Sequence, residues 1–301
     1  MRTAAFFLLL GWNIWAQTAA PLPDISYDAS APLALEEKPV KELRDCRLLD
    51  ISFASPRGGR VTAYAVIPKG LMHPAGIVWQ HWGQGDRSSF LPEALALGQK
   101  GAASILLNAP WLRPHARPAR TPQQELAEWL QTVVDIRRAA DVLIGHYGVP
   151  VARLAYVGHS YGATLGGLVA AGERRFHFLV LMGGFASLSD GTRHPLGSTS
   201  PPTPATRRMA DALAVIDAER YIGSAPPAAV FLQFARFDRF VSAEQAERYT
   251  RAAREPKLVR WYDCGHEFND GDSGRDREEW LSKLLQLSGA SHMARAVIPR
   301  D

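Results

Sequence analysis

Gly158-His159-Ser160-Tyr161-Gly162 is the stretch with the clearest chemical potential in this sequence. A serine hydroxyl in a G-x-S-x-G setting becomes a nucleophile when the motif sits on a sharp strand-to-helix turn. Leu154 to Val157 reads as the strand before it and Tyr161 to Ala171 as the helix after it. Such a turn leaves no room for side chains at Gly158 and Gly162. It lifts the Ser160 hydroxyl out of the sheet and onto a helix N-terminus, where the dipole favours developing negative charge. Small residues at Ala163, Gly166, Gly167 and Ala170 let this helix pack close to the sheet.

A serine needs a base, and the base needs a group that orients it. On sheets that carry such an elbow, the acid and then the histidine come after the serine along the chain. Of nine histidines only His177, His194, His266 and His292 lie beyond Ser160. His177 stands just before a strand and His292 in the trailing tail. His266 lies in Asp263-Cys264-Gly265-His266-Glu267-Phe268, directly after the last strand, where Gly265 leaves room to turn an imidazole. Asp238 comes after the penultimate strand and is the favoured acid, with Phe240 and Val241 placed to shield its carboxylate; Asp190 is the alternative. Asp263 reads as a loop-stabilising residue.

Acyl transfer also requires donors for an oxyanion. The backbone N–H of Tyr161 is one. The other belongs to the loop His81-Trp82-Gly83-Gln84-Gly85 after the strand Gly76 to Gln80. The register leaves it between Trp82 and Gly83, with Trp82 preferred, and His81 is read as structural. The Arg-rich stretch 111–120 is read as a solvated basic loop, with recognition of a substrate anion as the alternative.

These groups must be held by alternating elements. Leu43–Ala54 and Val61–Pro68 form a predicted hairpin around the turn Pro56-Arg57-Gly58-Gly59. Gly76–Gln80, Ala103–Asn108, Leu154–Val157, Phe178–Met182, Ala229–Phe234 and Lys257–Tyr262 are predicted strands. Helices are expected over Phe90–Lys100, Thr121 to about His146, Tyr161–Ala171 and Asp276–Leu287. The alternation implies parallel strands with right-handed crossovers. Residues 185–206, rich in Gly, Ser, Thr and Pro, break the rhythm as an excursion over the site or a plain surface loop.

With GHSYGA at 158–163, QFARFDRFV at 233–241 and DCGHEF at 263–268, the chain resembles the α/β-hydrolase superfamily, in particular its dienelactone-hydrolase-like and prolyl-oligopeptidase-like serine esterases. The resemblance spans roughly residues 45–288. It implies an α/β-hydrolase fold, a mostly parallel central sheet of about eight strands flanked by helices. It also implies Ser160 as nucleophile, Asp238 as acid and His266 as base. Two departures stand out. The oxyanion loop reads HWGQG where an HG-G pattern is commoner, and Ser stands where dienelactone hydrolase itself carries Cys, so dienelactone activity is not implied. The superfamily places the first and last strands at opposite sheet edges. Cys46 lies near the first and Cys264 after the last, and a disulfide needs Cα atoms within about 7 Å, so both are expected unpaired.

The chain has 301 residues, 47% apolar and 21% charged, which suits one large domain. Its net charge of +4 is a small excess over 34 basic and 30 acidic residues, with no basic run of the kind that binds nucleic acid. Arg2, the mostly apolar Ala4–Trp15 and the small residues Ala16, Thr18, Ala19 and Ala20 have the order of a secretory signal peptide. The domain expectation is therefore signal peptide 1–20, irregular lead-in 21–42, catalytic domain 43–288 and C-terminal tail 289–301. The protein is expected to be secreted or periplasmic, with no membrane span once the signal is removed. Metal, nucleotide and cofactor motifs are lacking, so neither cofactor nor metal is expected. The expected function is a secreted serine hydrolase of small-molecule carboxylic esters acting through an acyl-enzyme on Ser160. The alternatives are a peptidase, amidase or thioesterase, or a catalytically silent binding protein on the same scaffold.

Overall fold

The computed structural model describes residues 20–114, 116, 121–225 and 228–287. Residues 1–19 of the expected signal peptide 1–20, the expected tail 289–301 and the arginines at 117 and 120 lie outside them. Within the described residues nine strands form one sheet: β1 (Glu36–Glu42), β2 (Cys46–Ala54), β3 (Arg60–Pro68), β4 (Ala75–Gln80), β5 (Ala102–Leu107), β6 (Leu154–His159), β7 (Phe178–Met182), β8 (Ala229–Ala235) and β9 (Lys257–Tyr262). The helices are α1 (Leu91–Gln99), α2 (Pro122–Gly145), α3 (Tyr161–Gly172), α4 (Leu188–Arg193), α5 (Pro204–Leu213), α6 (Ala243–Ala252) and α7 (Gly271–Leu284).

The strands lie in the order β1-β2-β3-β5-β4-β6-β7-β8-β9. The first four in that order pair antiparallel and the last six run parallel. β4, β5 and β6 are buried at every position, which is why they read as continuous apolar runs rather than alternating ones. Val78, Tyr156 and Leu181 pack on one face with Val133 of α2 and Leu165 of α3. Ile77, Trp79 and Val157 pack on the other face with Leu97 of α1 and Leu281 of α7. The chain order reverses around β4, between β5 and β6, which opens a crevice at the carboxyl ends of the strands.

The ninth strand is β1, inside the segment expected to be irregular. Its sequence EEKPVKE is exposed throughout and has no apolar alternation, so only pairing with β2 defines it. Charge and Pro39 also suit an unshielded edge. The closing helix starts earlier than Asp276 because the Asp270 carboxylate accepts from the N–H groups of Asp272 (2.9 Å) and Ser273 (2.7 Å). α2 opens as expected on Thr121, in a reciprocal capping box with Gln124. Residues 185–206 hold α4 and the start of α5. Asp217 ties α4 down by accepting from Ser187 Oγ (3.0 Å), Ser189 N (2.9 Å) and Ser189 Oγ (2.7 Å). Cys46 on β2 and Cys264 beyond β9 are buried, free and near opposite ends of the sheet. No helix among the described residues is long and apolar enough to cross a membrane.

Candidate active site

Ser160 has φ 52° and ψ −101°, a left-handed backbone that costs a non-glycine residue on the order of 1–3 kcal/mol. Its surroundings hold it there. The Ser160 N–H donates to Met182 O at 2.7 Å, and its carbonyl accepts from Thr164 N and Thr164 Oγ1, each at 2.8 Å. A Cβ on Gly158 would stand 2.4 Å from the Gly162 carbonyl carbon, and one on Gly162 2.4 Å from Gln80 O. Both glycines of the motif are thus sterically required, and the bend points the serine into the crevice.

Asp238 and His266 reach the same place from the ends of β8 and β9. His266 Nδ1 donates to Asp238 Oδ2 at 2.7 Å, with side chains only 8% and 3% exposed. The other carboxylate oxygen, Oδ1, accepts from the N–H groups of Phe240 (2.8 Å) and Val241 (2.9 Å). Backbone bonds from Arg236 N to Tyr262 O (2.9 Å) and from Phe237 N to Cys264 O (3.1 Å) join the two loops. The Phe240 ring lies 4.8 Å from the His266 ring and covers it. Asp190, the alternative acid, is engaged elsewhere, with Arg248 (2.8 Å) and Gln245 (3.1 Å). Asp263 makes an exposed pair with Arg236 at 2.9 Å, a contact worth little in water.

Ser160 and His266 line one cavity of about 180 Å³, together with Gly83, Gln84, Tyr161 and Thr164. Its apolar walls are Trp129, Phe185, Leu188 and Phe240. Phe185 and Leu188, at the start of the 185–206 stretch, thus form part of the cavity wall. Trp129 lies 4.3 Å and Trp111 4.8 Å from the Tyr161 ring, and the Tyr161 hydroxyl donates to Thr132 Oγ1 at 2.7 Å, so the residue after the serine is gripped on several sides.

Gly83 and Gln84 reach the cavity wall, whereas the Trp82 ring turns behind it, 5.1 Å from His159 and 6.2 Å from Phe90. The Trp82 carbonyl accepts from His81 Nδ1 at 2.5 Å and from Gly85 N at 3.0 Å, folding the loop into a tight turn. His81 Nε2 in turn accepts from Ala109 N at 3.1 Å. Those two bonds assign His81 the Nδ1–H tautomer and a structural part. Arg113 of the basic stretch also turns inward. It pairs at 2.5 Å with Asp135, the two side chains being 8% and 1% exposed, and is not free to meet a substrate anion. Burial raises the Asp135 pKa, opposed by the Arg113 charge.

His159, one residue before the serine, is not among the expected site residues. Burial, followed by the charge of His266, pushes its pKa down to about 3, and burial lowers that of His81 as well. The unfolded chain binds these protons from about pH 6.5 downward, before the folded chain does. The His159 contribution is thus complete above about pH 6.5 and lost as the pH falls towards 3, and that of His81 has the same sign. The urea midpoint should fall between pH 7 and pH 5, and His159→Gln should flatten that fall. Equal slopes in the two proteins would contradict the assignment.

No family model and no curated protein matches the sequence. Solved structures do match. An acetyl xylan esterase from Paenibacillus sp. aligns with TM-score 0.70 at 20% identity, over 85% of this chain and 89% of that one. Acetyl xylan esterase 1 from Thermoanaerobacterium sp. aligns with TM-score 0.69 at 17% identity, over 89% and 96%. The esterase domain of a Rhodothermus marinus protein aligns with TM-score 0.59 at 18% identity, over 80% and 98%. With the strand order, the elbow and these similarities together, the chain has the α/β-hydrolase fold.

Proposed function

We propose that this protein hydrolyses carboxylic esters of short acyl groups through an acyl-enzyme on Ser160. The observation that carries the reading is the buried Asp238–His266 pair closing on the cavity into which the strained Ser160 opens. Asp238 holds the Nδ1–H tautomer of His266, which leaves Nε2 bare to take the Ser160 proton. Oγ then attacks the ester carbonyl. The oxyanion is received by the N–H of Tyr161 and, since Gly83 rather than Trp82 faces the cavity, by that of Gly83. His266 returns the proton to the departing alkoxide, and water repeats the cycle on the acyl-enzyme.

The structural neighbours that are esterases by name favour esters over amides. The apolar walls favour a small acyl group over a peptide. Residues 1–20 support an extracytoplasmic setting, which N-terminal sequencing of the mature protein tests.

p-Nitrophenyl esters of increasing acyl length test the reading. kcat/KM should peak at about two to four acyl carbons, and Ser160→Ala should abolish turnover. Leu188→Ala should move the optimum to longer chains, each additional buried methylene being worth about 0.8 kcal/mol. Undiminished hydrolysis by Ser160→Ala would overturn the reading. An optimum unmoved by Leu188→Ala would remove Leu188 from the acyl site.

A further inference from the structure

The three loops that meet at Ser160 converge on one side chain that takes no part in the chemistry above. His159 ends β6, directly before the serine, and is only 3% exposed. Its ring lies 5.1 Å from Trp82 of the loop after β4, and 5.2 Å from His266 and 5.4 Å from Phe268 of the loop after β9. Its Nε2 stands 2.7 Å from the backbone carbonyl of His266. A carbonyl oxygen has no proton to give, so Nε2 is the donor.

We propose that His159 is a positioning residue that sets the His266 imidazole against Ser160 by holding the backbone of His266. The inference rests on the acyl-enzyme reading of the site. His266 is otherwise fixed through its side chain, by Asp238 on Nδ1 and Phe240 on the ring. Those contacts orient the imidazole relative to the acid loop. The bond from His159 references it to the strand that carries the nucleophile. A neutral, buried donor suits this task, because it remains a donor while the adjacent His266 gains and loses a proton. Burial keeps His159 in that neutral form. The Trp82 ring on the same imidazole gives the loop after β4 the same reference.

Substitutions that separate donor, volume and reach test this. His159→Gln keeps an N–H near the Nε2 position. His159→Asn shortens the reach to the Nδ1 position, and His159→Phe keeps volume without a donor. For p-nitrophenyl acetate, kcat should fall on the order of 10- to 100-fold in His159→Phe and His159→Asn, the scale of a reacting group displaced by about 1 Å. KM should change less than about threefold, and His159→Gln should recover most of kcat. If His159→Phe does not fold, the Gln-against-Asn comparison decides alone. Equal kcat in the Gln and Asn variants, or a loss confined to KM or thermal stability, overturns the proposal. Ser160→Ala is assayed alongside. Should it retain turnover, the acyl-enzyme reading itself fails. Should it be inactive while His159→Asn matches wild type, only the positioning role fails.

Discussion

Replacing His266 by Ala should lower kcat for ester hydrolysis by on the order of 10⁴- to 10⁶-fold with little change in KM, as removal of a base from a unit of this kind does. Without the imidazole, no other described residue lining the cavity is a base for the Ser160 proton, and the alkoxide leaves without its general acid. The nearest other histidine cannot substitute. His159 Nε2 already donates to the His266 carbonyl, and its ring is buried beneath the site. Stopped assays with p-nitrophenyl acetate, checked against a thermal melt, measure the effect. A His266→Ala protein that turns over within tenfold of wild type would exclude His266 as the base.

Asp238→Asn should cost about 10⁴-fold in kcat while the fold is kept. The local bonds explain both halves of that expectation. The asparagine oxygen can still accept from Phe240 N and Val241 N, so the turn survives. Its amide then faces His266 and donates where the carboxylate accepted. Nδ1 must become the acceptor and the ring proton moves to Nε2, the atom that should take the serine proton. Asp190→Asn serves as the control. Its carboxylate serves Arg248 and Gln245, so it should leave kcat within a few-fold of wild type. A large loss in Asp190→Asn with none in Asp238→Asn would reverse the choice of acid.

Some of this arrangement is visible in the sequence because stereochemistry leaves few alternatives. Gly158 and Gly162 are demanded by the elbow, and the parallel strands show as unbroken apolar runs. Asp238 and His266 stand just beyond the last two strands, where an acid and a base would have to sit, and the structure places them in hydrogen-bonding contact. The less legible parts have physical reasons too. β1 is exposed on all sides, so no pattern separates EEKPVKE from coil. α4 is only six residues long, and its capping on Ser187 depends on contacts distant in sequence, such as Asp217. Trp129 occupies an ordinary position in the apolar stripe of α2, and nothing in that stripe says that a cavity begins there. The choice between Trp82 and Gly83 depends on a turn closed by His81 through the Trp82 carbonyl. His159 reads in sequence as the variable residue of a motif, although it touches the loops bearing the candidate base and the candidate oxyanion donor.

The central claim is that Ser160 is the nucleophile, and covalent capture tests it most directly. A fluorophosphonate probe should form one adduct per chain, mapped by peptide mass spectrometry to the peptide carrying Gly158-His159-Ser160-Tyr161-Gly162. Ser160→Ala should not label. Labelling that persists in Ser160→Ala, or an adduct on any other residue, would contradict the claim.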